Sequence, residues 1–174
     1  MKLARNIFSV MMGVVILAGN VYAHGPTPQR VDEQLVLSAD IDDVWQVVAD
    51  FSSIGDWHPQ VTVVEMTDDT TRVISIEGQQ GTITESLDES DAERRYISFR
   101  LLREDITVIP VSFYSIAIQL EAVDAGTEVT WRGRFYRGDT GNFPPENLSD
   151  AAAVEAMTAY ARNGLEGLQQ SLAK

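Results

Sequence analysis

The last quarter of the chain carries a pattern that few folds can accommodate. Val154, Met157, Ala161, Leu165, Leu168 and Leu172 follow one another at spacings of 3, 4, 4, 3 and 4 residues. That lays one apolar stripe along about six turns of α-helix. Ser149 and Asp150 stand at its start, a good capping pair with a negative charge in the first turn. A helix of this length with one apolar face must lie on another layer, and the residues upstream predict a sheet.

Ahead of the stripe the period changes to two. Segments at about 61–66, 72–77, 82–88, 95–102, 113–122 and 127–137 read as strands, punctuated by Asp68-Asp69, Gly78, Ser90-Asp91 and Asp124-Ala125-Gly126. Connections this short make hairpins, so the sheet is antiparallel. Tyr114, Ile116, Ile118 and Leu120 share one face, and Val129, Trp131 and Phe135 supply the matching face of the next strand. An earlier strand over 29–39 turns Val31, Leu35, Leu37 and Ala39 one way. Asp40 then caps a helix over about 41–50, which aligns Ile41, Val44, Val47 and Val48, with Phe51 beyond them. Ser52, Ser53 and Gly55 break it, and Trp57-His58-Pro59 leads into the sheet, because a residue before proline is pushed towards extended geometry. The expected architecture is an α+β helix-grip fold: a curved antiparallel sheet wrapped around a long C-terminal helix, with two short helices after the first strand. The gap between such a sheet and its helix is commonly a cavity for an apolar ligand.

The start of the chain has a different character. Lys2 and Arg5 precede an uncharged apolar run over 7–18 that stops at Gly19-Asn20, the layout of a secretory signal peptide. The run is shorter than the roughly 20 residues a membrane span needs. Val21-Tyr22-Ala23 predicts cleavage after Ala23, so 1–23 is a signal peptide, 24–174 the single mature domain and His24 its first residue. There is no cysteine to carry a lipid, and the expectation is an exported, periplasmic protein without a membrane anchor. Of 13 basic and 26 acidic residues, Lys2 and Arg5 leave with the signal, so the mature balance is 11 − 26 = −15. Such a surface repels nucleic acid and anionic lipid and steers towards basic partners. The missing cysteine also excludes disulfides, thiolate catalysis, iron–sulfur clusters and zinc–thiolate sites. With His24 and His58 the two histidines, no convincing metal set can be written, and neither metal nor cofactor is expected. The sharpest exception is a copper brace from the His24 amino group and imidazole with His58, which has no evident reason to meet them.

Four features carry the remaining questions. Glu85 falls with Ile83 and Leu87 on the apolar face of its strand, where a carboxylate must be paired, neutral or facing a wet cavity. Arg72 or Arg100 is its bland partner, and ligand binding is the alternative. His58, between Trp57 and Pro59 where helix gives way to sheet, is placed at the cavity rim as a ligand contact or acid–base group, with a satisfied structural histidine as the commoner outcome. Arg132, Arg134 and Arg137 make a basic cluster in a very acidic chain. On a strand Arg132 and Arg134 share a face opposite Trp131 and Phe135, and the cluster reads either as an outer solvated face paired with Glu121 or Glu128 or as a small docking patch. If the cavity holds a ligand, the expected lining is Trp57, His58, Glu85, Tyr114, Trp131 and Phe135, with no catalytic residue among them.

Val44-Trp45, Asp50-Phe51 and Trp57-His58-Pro59 resemble the first-helix pattern of the SRPBCC superfamily, the START-like and polyketide cyclase/dehydrase helix-grip proteins, over nearly all of the mature chain. His24-Gly25-Pro26, Ile109-Pro110-Val111-Ser112 with Tyr114, and Trp131-Arg132-Gly133-Arg134-Phe135-Tyr136-Arg137-Gly138 leading to Pro144-Pro145 are similar to MxaD-type proteins. The resemblance implies a periplasmic accessory of methanol oxidation, assisting electron flow between a PQQ-dependent quinoprotein alcohol dehydrogenase and its cytochrome c. It implies no enzymatic activity and no shared catalytic residue. The alternative is a cavity protein that binds a small hydrophobic ligand or turns it over, as a polyketide cyclase/dehydrase would.

Overall fold

The computed structural model describes residues 25–173, so the expected signal peptide and His24 lie outside the described residues. Strand β1 (Gln29–Leu37) is followed by the short helices α1 (Ile41–Ala49) and α2 (Ile54–Trp57). A run of strands comes next: β2 (Val61–Met66), β3 (Thr71–Ile76), β4 (Thr82–Asp91), β5 (Tyr96–Arg103), β6 (Val111–Val123) and β7 (Gly126–Arg137). A 3-10 turn at Glu146–Leu148 precedes helix α3 (Asp150–Leu172). The strands form one seven-stranded antiparallel sheet in the order β1-β7-β6-β5-β4-β3-β2, so the first strand returns to pair with the last.

Local chemistry sets the joints. Asp40 Oδ1 accepts the Asp42 N–H at 2.9 Å and starts α1. Ser53 ties α1 to α2: its hydroxyl donates to the Val47 carbonyl at 2.6 Å and accepts the Trp57 indole N–H at 3.1 Å. The β6–β7 turn passes so close to the end of β1 that a Cβ on Gly126 would lie 2.1 Å from the Leu37 carbonyl oxygen, and its φ of 128° suits glycine alone.

Helix α3 lies on β1 and β7 with Ala153, Met157, Tyr160, Ala161, Gly164, Leu165, Gly167 and Leu168 buried. Its capping is as expected, the Ser149 hydroxyl accepting the Ala152 N–H at 3.3 Å. The buried face is turned from the predicted stripe, leaving Val154 and Leu172 half-buried at its margin. Two glycines account for the turn. A Cβ on Gly167 would lie 2.1 Å from the Trp57 carbonyl oxygen, and one on Gly164 2.8 Å from the His58 ring. The α2–β2 connection can therefore press against the helix backbone.

Arg137 parts company with the other arginines of its strand. It shares the parity of Trp131 and Phe135, points inward and is 8% exposed. Its guanidinium donates to the carbonyls of Asp139 and Gly141 and to Asp150 Oδ2, at 2.7, 2.8 and 2.8 Å. One side chain thus closes the loop after β7 onto the start of α3. Arg132 keeps to the outer face, and its carboxylate partner is Asp32 rather than Glu121 or Glu128, because β1 and not β6 places an acid across from it.

Candidate functional site

Strand pairing sets Arg72 of β3 directly opposite Glu85 of β4 on the inner face of the sheet. Arg72 Nε donates to Glu85 Oε2 at 2.6 Å, and its Nη1 donates to the Phe51 carbonyl, also at 2.6 Å. The guanidinium lies over the Phe51 ring at 3.9 Å and the Phe99 ring at 4.8 Å. From two strands away the Tyr114 hydroxyl donates to Glu85 Oε1. Glu85 thus takes Arg72 as its partner. Arg100 goes to Asp88 on the other face, next to the place where β4 carries one extra residue in its register with β5.

Both buried phenols stay protonated. Burial raises the Tyr114 pKa well above its ordinary value, and the Glu85 charge adds to this; the same two causes raise Tyr160. Three buried donors beside the ion pair have no hydrogen-bond partner among the described residues: Arg72 Nη2, Trp131 Nε1 and the Tyr160 hydroxyl. They sit along one chain of rings, since Arg72 covers Phe99, Phe99 meets Trp131 edge-on at 6.5 Å, and Trp131 meets Tyr160 edge-on at 5.8 Å. Buried donors are nearly always satisfied, so this spot has unused capacity for an acceptor atom.

His58 stands at the other end of the same cluster. It is 1% exposed, and its ring centroid is 4.2 Å from that of Tyr160. Nε2 faces the Tyr160 carbonyl at 3.0 Å, an acceptor, and Nδ1 receives the Gln60 N–H at 3.2 Å, so the neutral tautomer carries its proton on Nε2. Burial, with a smaller push from the Arg72 charge, lowers its pKa to about 4 against the opposing Tyr160 carbonyl. At neutral pH both ring nitrogens are engaged and no proton is available for exchange.

Of the six residues read as cavity lining, Glu85 and Tyr114 are bonded to each other, and Trp131 adjoins them through Phe99. Trp57 packs edge-on to Trp131 at 6.3 Å with its indole N–H held by Ser53. Phe135 is wholly buried beside them. Trp57, Tyr114, Trp131 and Phe135 share one hydrophobic core with Met157 and Tyr160, and Glu85 and His58 are buried within it. A hollow of about 310 Å³ opens between α2 and α3 and passes Trp57 and His58. Tyr160 does not stand out in the sequence as a site residue. Its signal is the helical file Ala153, Met157, Tyr160, Gly164, in which three small or polar residues hide a buried face. Among the described residues no group of three His, Cys, Asp or Glu side chains is placed to hold a metal, and no helix is long and apolar enough to cross a membrane.

A curved antiparallel sheet gripping one long helix around a buried polar cluster defines the helix-grip class of proteins. The chain belongs to the family of polyketide cyclase/dehydrase and lipid transport proteins, whose profile matches residues 28–173. Among solved structures it is similar to the protein XoxI from Bacillus cereus, with a TM-score of 0.68 and 24% identity over 84% of this chain and 96% of that one. An uncharacterised protein from Bacillus thuringiensis gives a TM-score of 0.67 and 24% identity over 85% and 100% of the two chains. The Zhui aromatase/cyclase from Streptomyces sp. R1128 gives 0.64 and 21% over 84% and 92%. At these identities the likeness is one of fold. No curated protein matches the chain.

Proposed function

We propose that this protein is a periplasmic accessory that assists electron transfer from a quinoprotein alcohol dehydrogenase of the methanol-oxidising type to its cytochrome c, acting by docking and not by turning over the alcohol. The observation that carries the reading is the packed interior of the grip: Tyr114, Trp131, Phe135, Met157 and Tyr160 are each no more than 3% exposed. They take up the space a bulky substrate would need. What remains for function is the surface, and 26 acidic against 13 basic residues steer it towards a basic partner. The charged start, short apolar run and Val21-Tyr22-Ala23 support export.

The test is cytochrome reduction by the native dehydrogenase, with and without the purified protein, at low and high salt. Stimulation that fades as salt is added supports the reading. Stimulation indifferent to salt rejects charge steering, and no effect at any salt rejects the accessory role. Intact-mass analysis of periplasmic protein should give a chain beginning at His24.

A second reading has its own observation, the unpartnered donors of Arg72, Trp131 and Tyr160. They suit a small ligand with an acceptor atom inside the grip. A molecule that co-purifies, shifts the emission of Trp131 and is lost in Glu85→Gln and His58→Ala would favour it.

A further inference from the structure

The outer face of the sheet carries Arg30 on β1, Arg100 on β5, and Arg132 and Arg134 on β7. Their register is fixed: Arg30 lies directly across from Arg134, Arg134 across from Ser115, and Ser115 across from Arg100. Arg132 stands between Asp32 and Ala117. An open hollow of about 600 Å³ on this face is bordered by Arg30, Arg132 and Arg134, with Asp32, Asp88 and Tyr96 also on its wall, and has small groups, Ser98, Ser115, Ala117 and Gly133, among its lining. Four of the chain's 13 basic residues therefore share one face of an acidic molecule. Two carboxylates answer them. Asp88 pairs with Arg100, and Asp32 is 3.4 Å from Arg132 with both side chains more than half exposed. Arg30 and Arg134 have no ion pair among the described residues. Like charges set directly opposite across antiparallel strands are destabilising, and among the described residues neither member of this pair has an ion-pair partner of its own.

We propose that this face is a docking site for a short acidic segment of another protein, whose carboxylates bind at Arg30, Arg132 and Arg134. A guanidinium fork takes a carboxylate through two parallel hydrogen bonds. Arg132 and Arg134 are two residues apart on one strand, about 7 Å, which is also the spacing of alternate side chains along an extended peptide. The small lining residues let a backbone approach. A protein segment fits better than nucleic acid or an anionic bilayer. Those extended polyanions would meet the rest of a molecule of net charge −13, whereas a short segment meets only the field within about 8 Å of the arginines at physiological salt.

The experiment is an NMR titration of the purified protein at low ionic strength with a short peptide of alternating glutamate and serine, and separately with inorganic phosphate. Saturable shifts are expected at the amides of Ser98, Ser115, Ala117 and Gly133, smaller in about 0.15 M salt. Arg30→Gln with Arg134→Gln should weaken binding at least about tenfold, given the strength of charge-assisted hydrogen bonds. That double variant loses a repulsion and should melt no lower than the parent; were it to unfold, Arg134→Gln alone carries the same test. The proposal is overturned by the absence of saturable shifts, by shifts away from the hollow, by a variant that binds like the parent, or by phosphate binding as tightly as the peptide.

Discussion

Glu85 shows how a single side chain can be both costly and indispensable to the core around it. Desolvating Arg72 and Glu85 together is expensive, but removing one of them leaves an uncompensated charge under the sheet. Glu85→Ala should therefore lower stability by about 3–5 kcal/mol, whereas Arg72→Met with Glu85→Leu should cost much less than the two single changes summed; urea unfolding of the three variants measures the difference. His58 predicts a pH dependence. Its pKa lies at about 4 in the folded protein against an ordinary 6.5, so between those values the unfolded chain binds the extra proton. The neutral ring's contribution, about 3 kcal/mol, is whole above pH 6.5 and is lost as pH falls towards 4. Unfolding free energies at pH 7.5, 5.5 and 4.5 should decline accordingly, and in the folded protein the His58 ring resonances should stay fixed down to about pH 5.

At the level of elements, glycine carries the packing of α3. In an exposed helix Gly→Ala gains about 1 kcal/mol, but Gly167→Ala would drive a methyl into the Trp57 carbonyl, and the sign should reverse, with a lower melting temperature. Leu165→Asp puts a charge on the same buried face and should cost several kcal/mol. A melting curve for each, against the parent, is the measurement. These glycines also mark where the sequence stops being legible. Period-two alternation named the strands of the meander to within a few residues, and the inward file from Tyr114 to Leu120 is buried as alternation demands. Hydrophobic periodicity fixes the helix along its length but not in rotation, because it counts leucine and valine and is blind to a glycine that admits a neighbouring backbone. Glu85 could be seen as misplaced from its own strand alone. Its choice of Arg72 over Arg100 could not, since that depends on one extra residue in β4 that only pairing with β5 exposes. Tyr160 escaped for the same reason as the glycines: it reads as a polar interruption until the chain is folded.

Across the whole molecule, a net charge of −13 sits on a fold that brings acidic groups together. Added salt should raise the melting temperature through screening of that self-repulsion, most clearly below about 0.15 M, where the Debye length exceeds about 8 Å. The strand order has a further consequence, in time rather than in space. β1 pairs with β7, so Asp32 meets Arg132 across a separation of 100 residues. Closing a loop that long is slow, and contacts this distant in sequence give little return until both ends are present. A chain emerging N-terminus first from a ribosome therefore keeps β1 waiting until residues 127–135 arrive, and α3, which lies on both strands, waits longer. The first strand to appear is the last to be used, and so the sheet closes only late in synthesis.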